Sequence, residues 1–194
     1  MTTITRAGAT DVAHCAAVVA RAFEPLPQTA WLVDTPSDRL AALTADFEIL
    51  VEHAVTHGHI DTIDDDAVAV WFHREHGKPP APADYDVRVL AATGRYADRF
   101  HALDAAFDAH HPSEPHHHLG LLAVAPSRQG HGLGAALLRH HHAELDDRGL
   151  AAFLEASTLN SRRLYLRAGY APLGEPYQLP EDGPTMWPLW RQPR

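Results

Sequence analysis

Apolar positions along the chain alternate between the two-residue period of a strand and the three- to four-residue period of a helix. Residues 4–7 predict a short first strand, and the following helix ends near Phe23, where Glu24-Pro25-Leu26-Pro27 breaks the pattern. A short helical turn is predicted over 28–33 and a longer helix over 37–51. A strand followed by helices is a typical opening of an α/β domain.

A β-hairpin is predicted next, because strand patterns over 59–63 and 67–72 flank the polar turn Asp64-Asp65-Asp66. The proline-rich stretch 78–82 predicts a loop. Residues 85–107 then predict one or two helices inserted before the next strand. We expect this insertion to shape substrate specificity.

The second half of the chain contains a strand, a helix and a second, parallel strand, over 116–124, 132–148 and 151–156. A short helix and two closing strands are predicted over 161–168, 170–172 and 185–190. A length of 194 residues suits one domain, so residues 1–194 are predicted to form a single unit.

Composition excludes several classes of partner. The formal net charge is −9 and acids and bases are interspersed, so no basic stripe predicts binding to nucleic acid. No run of eighteen apolar residues and no signal-peptide pattern is present, which predicts a cytoplasmic protein without membrane contact. The single cysteine, Cys15, lies on an apolar helix face and is interpreted as core packing.

The chain contains sixteen histidines, several of them in the triplets 116–118 and 140–142. Clustered histidines raise metal binding as an alternative. However, three consecutive residues on a strand or helix point in different directions, so the spacing does not match that of a zinc site. We therefore expect no bound metal.

The stretch 124–138 is the most informative part of the chain, because it combines a strand end, a glycine loop and a helix start. Glycines at 130, 132 and 134 let backbone N–H groups approach a pyrophosphate, and the helix adds its unpaired amides and positive dipole end. A dinucleotide fingerprint fits only formally. Five residues separate the strand from the first glycine, and too little chain follows Glu155 for a doubly wound fold.

The alternative pattern, Gln129-x-x-Gly132-x-Gly134, resembles the acetyl-coenzyme A loop of the GCN5-related N-acetyltransferases, the GNAT family. A second motif follows in order, because Leu164-Tyr-Leu-Arg-Ala-Gly-Tyr170 resembles the family's Leu-Tyr-x-x-x-Gly-Phe signature. Within the family, the stretch 153–157 is similar to the puromycin N-acetyltransferase branch. The resemblance implies an α/β fold with a mixed central sheet of six to seven strands, flanked by helices and splayed at its central strand.

The resemblance also implies how acetyl-coenzyme A (acetyl-CoA) would be held. Backbone groups at Leu122 and Val124 would bind the pantetheine arm. Amides of the loop would bind the pyrophosphate, namely those of Gln129, Gly130, His131, Gly132, Leu133, Gly134 and Ala135. Asn160 matches a cofactor-contacting asparagine of the family, and Ser161 is the alternative.

The resemblance to the GNAT family also implies candidate catalytic groups. Tyr165 falls at the family's tyrosine position, where its hydroxyl would protonate the departing thiolate. His118 lies eleven residues before Gln129, where one branch carries its base, and an imidazole suits proton transfer near neutral pH. Strand alternation would place His118 on the same face as Val124. Glu155, on the adjacent strand, is the reserve base or an organising group.

We expect the acceptor site to involve Phe23, Trp31 and His116. The reaction predicted is direct transfer of acetyl to a primary amine of a small molecule, since no credible nucleophile is present. The alternatives are a silent acyl-CoA-binding module of the same fold and an acetyltransferase acting on protein N-termini or lysines. A homodimer is common in the family, and the sequence leaves the assembly open.

Overall fold

The computed structural model describes residues 3–194. Strands and helices alternate as the apolar pattern predicts. In chain order the elements are β1 (Thr5–Ala7), α1 (Val12–Phe23), α2 (Pro27–Leu32), α3 (Pro36–His57), β2 (Gly58–Ile63), β3 (Ala67–His73), α4 (Tyr85–Thr93), α5 (Ala97–His110), β4 (His116–Val124), α6 (Leu133–Arg148), β5 (Ala151–Ala156), α7 (Leu159–Arg167), β6 (Ala171–Pro172), β7 (Tyr177–Gln178) and β8 (Thr185–Arg191).

The strands form one mixed sheet in the order β1-β2-β3-β4-β5-β8-β6, with β7 paired to β8. All neighbours are antiparallel except β4 and β5, which are parallel across the α6 connection. The sheet has eight strands rather than six or seven, because the short strand β7, which the sequence did not predict, pairs with β8. The mixed α/β architecture is confirmed.

The central strands separate as predicted. β4 and β5 pair only at their first three positions, ending where His118 faces Phe153. Beyond that point β4 continues to Val124 and β5 to Ala156 with no further pairing between them. The backbone edge of β4 that faces β5 is therefore free of strand partners from 119 to 124 in the described structure.

β4 contains a bulge that the sequence pattern does not show. Val70 pairs with Leu121 and Trp71 pairs with Leu119, so Gly120 is an extra residue opposite β3. The bulge reverses the alternation of side chains, and the prediction that His118 shares a face with Val124 is wrong. A Cβ at Gly120 would lie 2.7 Å from the Phe72 ring, so glycine allows the ring to pack there.

Two apolar clusters cover the two faces of the sheet. One packs α1, α3, α4 and α5 against Leu121 and Ala123 of β4. The other packs α6 and α7 against Leu119 of β4 and the inward side of β5, with Leu122 and Val124 at its margin. Neighbouring residues of β4 thus reach different environments.

Two further expectations can be compared with the fold. The third helix continues beyond 51 to His57, where Gly58 begins β2. Cys15 is buried in the core, and burial followed by the charge of Asp11 raises its pKa to about 11, which suits packing and not a nucleophile. Among residues 3–194 no helix combines the length and the apolar composition needed to cross a bilayer.

Candidate active site

A cavity of about 1140 Å³ brings most of the predicted site residues together. Its lining comes from both faces of the sheet, so it passes through the gap between the splayed strands β4 and β5. The predicted residues that line it are Phe23, His118, Leu122, Val124, Gln129, Gly130, Gly132, Leu133, Gly134, Ala135, Glu155, Asn160, Ser161 and Tyr165.

One end of the cavity is the glycine loop before α6. Gly130 and Gly132 have φ values of 80° and 81°, in the left-handed region that favours glycine. The first helical hydrogen bond runs from the Ala136 amide to the Gly132 carbonyl at 2.9 Å, so the three preceding amides have no acceptor within the helix. These amides and the helix dipole fit a phosphate group.

The same loop is held by its own side chains. The Gln129 carboxamide donates to the Val124 carbonyl at 3.1 Å, and Arg128 pairs with Asp66 at 3.4 Å. The His131 ring folds back onto the loop carbonyls of Arg128 and Gln129 at 3.2 and 2.9 Å. The His131 side chain therefore lies outside the cavity lining, which leaves only its amide for a ligand.

Three arginines that the sequence analysis missed stand at this end of the cavity: Arg128, Arg139 and Arg167. They lie on the loop, on α6 and on α7, so only the fold brings them together. Their positive charges complement a diphosphate. Of the three, only Arg128 and Arg139 lie close to the glycine loop in sequence, so they were the two that could have been predicted to bind phosphate.

At the middle of the cavity, the His118 Nε2 lies 3.2 Å from the Glu155 Oε2. The parallel register pairs His118 with Phe153, and alternation along β5 returns Glu155 to the same face. Both side chains are largely buried, at 12% and 3% exposure. Within residues 3–194 the His118 Nδ1 and the Glu155 Oε1 have no hydrogen-bond partner.

This pairing fixes the tautomer of His118, because a carboxylate accepts and the facing nitrogen must donate. With Nε2 donating to Glu155, the His118 Nδ1 carries the lone pair. The neighbouring His111 ring stands edge-on to His118, with centroids 4.8 Å apart. Burial, and then the charge of His118, lowers the pKa of His111 to about 2, so His111 stays neutral.

Tyr165 lies on α7, which the Thr158–Ser161 capping box starts at the end of β5. The Ser161 hydroxyl accepts from the Thr158 amide at 3.1 Å, so it is occupied by the cap, whereas Asn160 is exposed. Tyr165 is buried, and burial raises its pKa, which keeps the phenol protonated as a general acid requires. The capping box thus orients the tyrosine toward the cavity.

The far end of the cavity is acidic. Asp46 on α3 and Asp104 on α5 both line it, and neither forms an ion pair with any residue of the described chain. Burial, and then the charge of Asp104, raises the pKa of Asp46 to about 7. The Asp46 Oδ1 has no hydrogen-bond donor among residues 3–194, while Tyr85 donates to Asp104 at 2.8 Å. Burying a carboxylate without a hydrogen-bond donor is unfavourable in free energy, and a cationic ligand beside Asp46 would offset this penalty.

Two of the three predicted acceptor residues lie elsewhere. Trp31 is outside the cavity lining, because its indole N–H donates to the Pro180 carbonyl at 3.1 Å. His116 is buried, bonds the Glu114 carbonyl at 2.6 Å and contacts a smaller adjoining cavity of about 410 Å³. Phe23 is retained. Trp31 and His116 were wrongly predicted to line the cavity for the same reason: the position of a residue in the sequence does not show the direction of its side chain.

Comparisons with known proteins agree with this geometry. The sequence profile of the Acetyltransferase (GNAT) family matches residues 43–170. A Corynebacterium glutamicum structure titled histone acetyltransferase HPA2 and related acetyltransferase is 29% identical, with a TM-score of 0.75, covering 100% of this chain and 98% of its own.

Two more distant structures share the fold. A polyamine N-acetyltransferase from Drosophila melanogaster is 19% identical, with a TM-score of 0.70, covering 99% of this chain and all of its own. An agmatine N-acetyltransferase is 17% identical, with a TM-score of 0.65 and the same coverage. The profile match spans well over half of the chain and includes both motifs that carry the resemblance. The chain belongs to the GNAT family of acetyl-CoA-dependent N-acetyltransferases.

Proposed function

We propose that this enzyme transfers acetyl directly from acetyl-CoA to a primary amine of a small molecule that carries a second positive charge. The observation that carries the proposal is the continuity of the cavity. It joins a phosphate-binding loop, the His118–Glu155 pair and a chamber with unpaired acids. A cofactor end, a proton-transfer group and a charged acceptor end stand in the order that direct transfer needs.

The chain's residues would act as follows. Acetyl-CoA supplies the thioester whose acetyl group is transferred. The His118 Nδ1 accepts the proton of the attacking ammonium, directly or through a water, and Glu155 holds the ring by accepting from Nε2. Tyr165 donates its hydroxyl proton to the thiolate that leaves. The ammonium nitrogen loses two protons in all: one goes to His118, which releases it to solvent, and the second, lost as the amide forms, restores the tyrosine hydroxyl. Ammonium and acetyl-CoA thus become an amide, free coenzyme A and one proton.

The acidic chamber supports an acceptor with a second cation. Asp46 and Asp104 lie on helices across the cavity from the glycine loop, so a ligand reaching both ends would place its distal charge beside them. The Drosophila relative is described as forming N-acetylagmatine, and agmatine has a primary amine and a guanidinium. Two buried acids at this end of the cavity favour an acceptor with a second cation, such as agmatine.

A matched amine screen tests the proposal by detecting free coenzyme A. Agmatine and putrescine are each compared with an alkylamine of equal length that lacks the second charge. We expect a kcat/KM at least about tenfold higher for the doubly charged member of each pair. Equal rates within the pairs would contradict the acidic subsite, and acetyl-CoA binding without turnover of any amine would indicate a silent binding module.

Two controls complete the screen. Puromycin tests the branch suggested by residues 153–157, and a lysine-containing peptide tests protein acetylation. Higher activity on the peptide than on any small amine would contradict the proposed acceptor class. In this proposal, residues 1–194 act as one catalytic domain in the cytoplasm. The assembly to test in solution is a homodimer.

A further inference from the structure

A second group of titratable side chains lies on the α6 face of the sheet and takes no part in the proposed reaction. His59 on β2, His117 on β4 and His141 on α6 converge there, and all three are buried. One ring nitrogen from each lies within 4.8 Å of the others. The His117 Nδ1 and the His141 Nε2 are 2.9 Å apart. We name these three residues the histidine trio.

Each ring of the trio has a carboxylate near one of its nitrogens. The His117 Nε2 is hydrogen-bonded to Glu75 at 2.8 Å, which is the arrangement usual for histidines that bind metals. The His141 Nδ1 lies 3.4 Å from Glu144 and the His59 Nε2 lies 3.5 Å from Asp61, and neither of these nitrogens forms a hydrogen bond in the described structure.

Counting protons shows that the trio is unsatisfied by itself. A hydrogen bond between His117 and His141 requires one of the two facing nitrogens to carry a proton. If neutral His117 donates, its Nε2 can no longer donate to Glu75, and if neutral His141 donates, its Nδ1 lone pair is buried without a donor, 3.4 Å from Glu144. A doubly protonated ring would avoid the conflict only by placing a positive charge in a buried site.

A cation between the rings resolves the conflict, because both rings then donate outward to their carboxylates and direct their lone pairs inward. We propose that His59, His117 and His141 bind a divalent transition-metal ion of the zinc class. Ligand nitrogens around tetrahedral zinc stand about 3.3 Å apart, so the rings at 2.9 Å need to separate by only a few tenths of an ångström.

The surroundings suit such an ion. Asp61 is buried beside His59, where its Oδ1 pairs with Arg6 at 3.0 Å and its Oδ2 has no hydrogen-bond donor in the described part of the chain. His73 is only partly buried, and its Nε2 lies 2.8 Å from the His59 Nδ1. His73 therefore stands between the trio and solvent, where it can serve as a fourth ligand or an entry path.

The proposed ion would connect β2, β4 and α6. Since the amino end of α6 forms the glycine loop, the ion would stabilise the helix that positions the cofactor site without touching it. The expected role is structural, and it is independent of whether the acceptor proposed above is right.

The test measures zinc binding directly, without acetyl-CoA. Chelator-treated full-length protein is equilibrated with Zn²⁺, and bound metal is determined by mass spectrometry. We expect about one equivalent per chain with a Kd of nanomolar order or tighter. Co²⁺ in place of Zn²⁺ should give the visible absorption of a tetrahedral nitrogen-ligated site, and Zn²⁺ should raise Tm by roughly 5–15 °C.

The variants His141→Gln and His59→Gln should reduce bound zinc at least about tenfold. His142→Gln is the matched control, because His142 is also buried on α6 but bonds the Tyr170 hydroxyl at 3.1 Å. Folded wild-type protein that binds less than about a fifth of an equivalent contradicts the site. So does equal loss of zinc in the His142 control. The wild-type measurement decides the matter even if a variant does not fold.

Discussion

His117 and His118 are neighbours in β4, yet they serve opposite sides of the sheet. His118 faces the large cavity, where it meets Glu155 and keeps an unpartnered nitrogen. His117 faces α6, where it meets another imidazole and a carboxylate and has no exposure to solvent. The comparison shows that environment, and not residue type, decides what an imidazole does.

The two regions share one property. In the cavity, burial and the charge of Asp104 raise the pKa of Asp46 to about 7, and in the trio, burial and neighbouring imidazoles lower the pKa of His141. Both shifts move the group toward its neutral form, but the consequences differ. In the cavity a cationic ligand would restore the charge of the acid, whereas in the trio the neutral imidazoles keep the lone pairs that a metal ion would bind.

The sharpest test of the comparison substitutes the two neighbours separately. We expect His118→Ala to lower kcat/KM by about 10²- to 10⁴-fold, with little change in Tm. His117→Ala should instead lower Tm by roughly 5–10 °C and leave kcat per folded molecule near the wild-type value. A His118→Ala variant with kcat/KM within twofold of wild type would assign His118 to the pocket wall.

Tyr165→Phe separates chemistry from packing on the cavity side. The change removes a proton donor and almost no apolar surface, so turnover should fall by about ten- to thousandfold while the Kd for acetyl-CoA stays near wild type. Stopped-flow turnover and calorimetry measure the two quantities. A rate within twofold of wild type would make Tyr165 a packing residue only.

The glycine loop gives a matched pair. Gly132→Val places a β-branched residue at φ 81°, which should weaken acetyl-CoA binding by about ten- to hundredfold through backbone strain. Gly149→Val is the control, since it places the same residue at φ 65° at the opposite end of α6, away from the loop, and should leave the affinity unchanged. Unchanged calorimetric affinity in Gly132→Val would remove the loop from the cofactor site.

Asp46→Asn should have smaller effects, which are opposite in sign: it should weaken binding of the acceptor amine and stabilise the folded protein at pH 8. The KM for a doubly charged amine should rise about tenfold at pH 8, because the distal charge loses its partner. A raised pKa means that the folded state binds this proton more tightly, so the free energy of unfolding falls as pH rises from about 4 to about 7.

Without ligand, the Asp46→Asn variant lacks the titrating carboxyl group. Its free energy of unfolding at pH 8 should therefore be higher than that of wild type by about 1–3 kcal/mol. Urea unfolding at pH 5.5 and 8 measures the difference. Equal pH dependence in wild type and variant would show that Asp46 is not the titrating group. A higher KM for singly charged amines as well would indicate a general loss of site geometry.

The main elements of the fold were predictable because local patterns determine them. The hairpin over β2 and β3, the β4–α6–β5 unit and the capping of α7 all follow from period and turn chemistry. The face of each β4 side chain was not predictable, because one bulge residue reverses the alternation and depends on the Phe72 ring of another strand. The strand β6 was predicted within 170–172, whereas the two-residue β7 was below the length that a pattern can indicate.

The residues of the candidate site also fall into a group that local sequence predicts and a group that it does not. Its cofactor end and Tyr165 were predictable because each motif is contiguous in the sequence. Asp46 and Asp104 were missed because α3 and α5 bring them together across 58 positions of chain, and nothing local marks them as facing inward. The trio was missed for a related reason. The triplets 116–118 and 140–142 do point in different directions, but one member of each meets the other and His59.

The extra residue in β4 also determines which length changes the chain can accept. Deleting Gly120 would restore simple alternation, and residues 121–124 would exchange faces, so apolar side chains of one core would enter the other. An insertion between 116 and 120 would exchange the histidines instead. This strand must keep its frame, because an insertion before Gly120 would disrupt the His118–Glu155 pair and the histidine trio together.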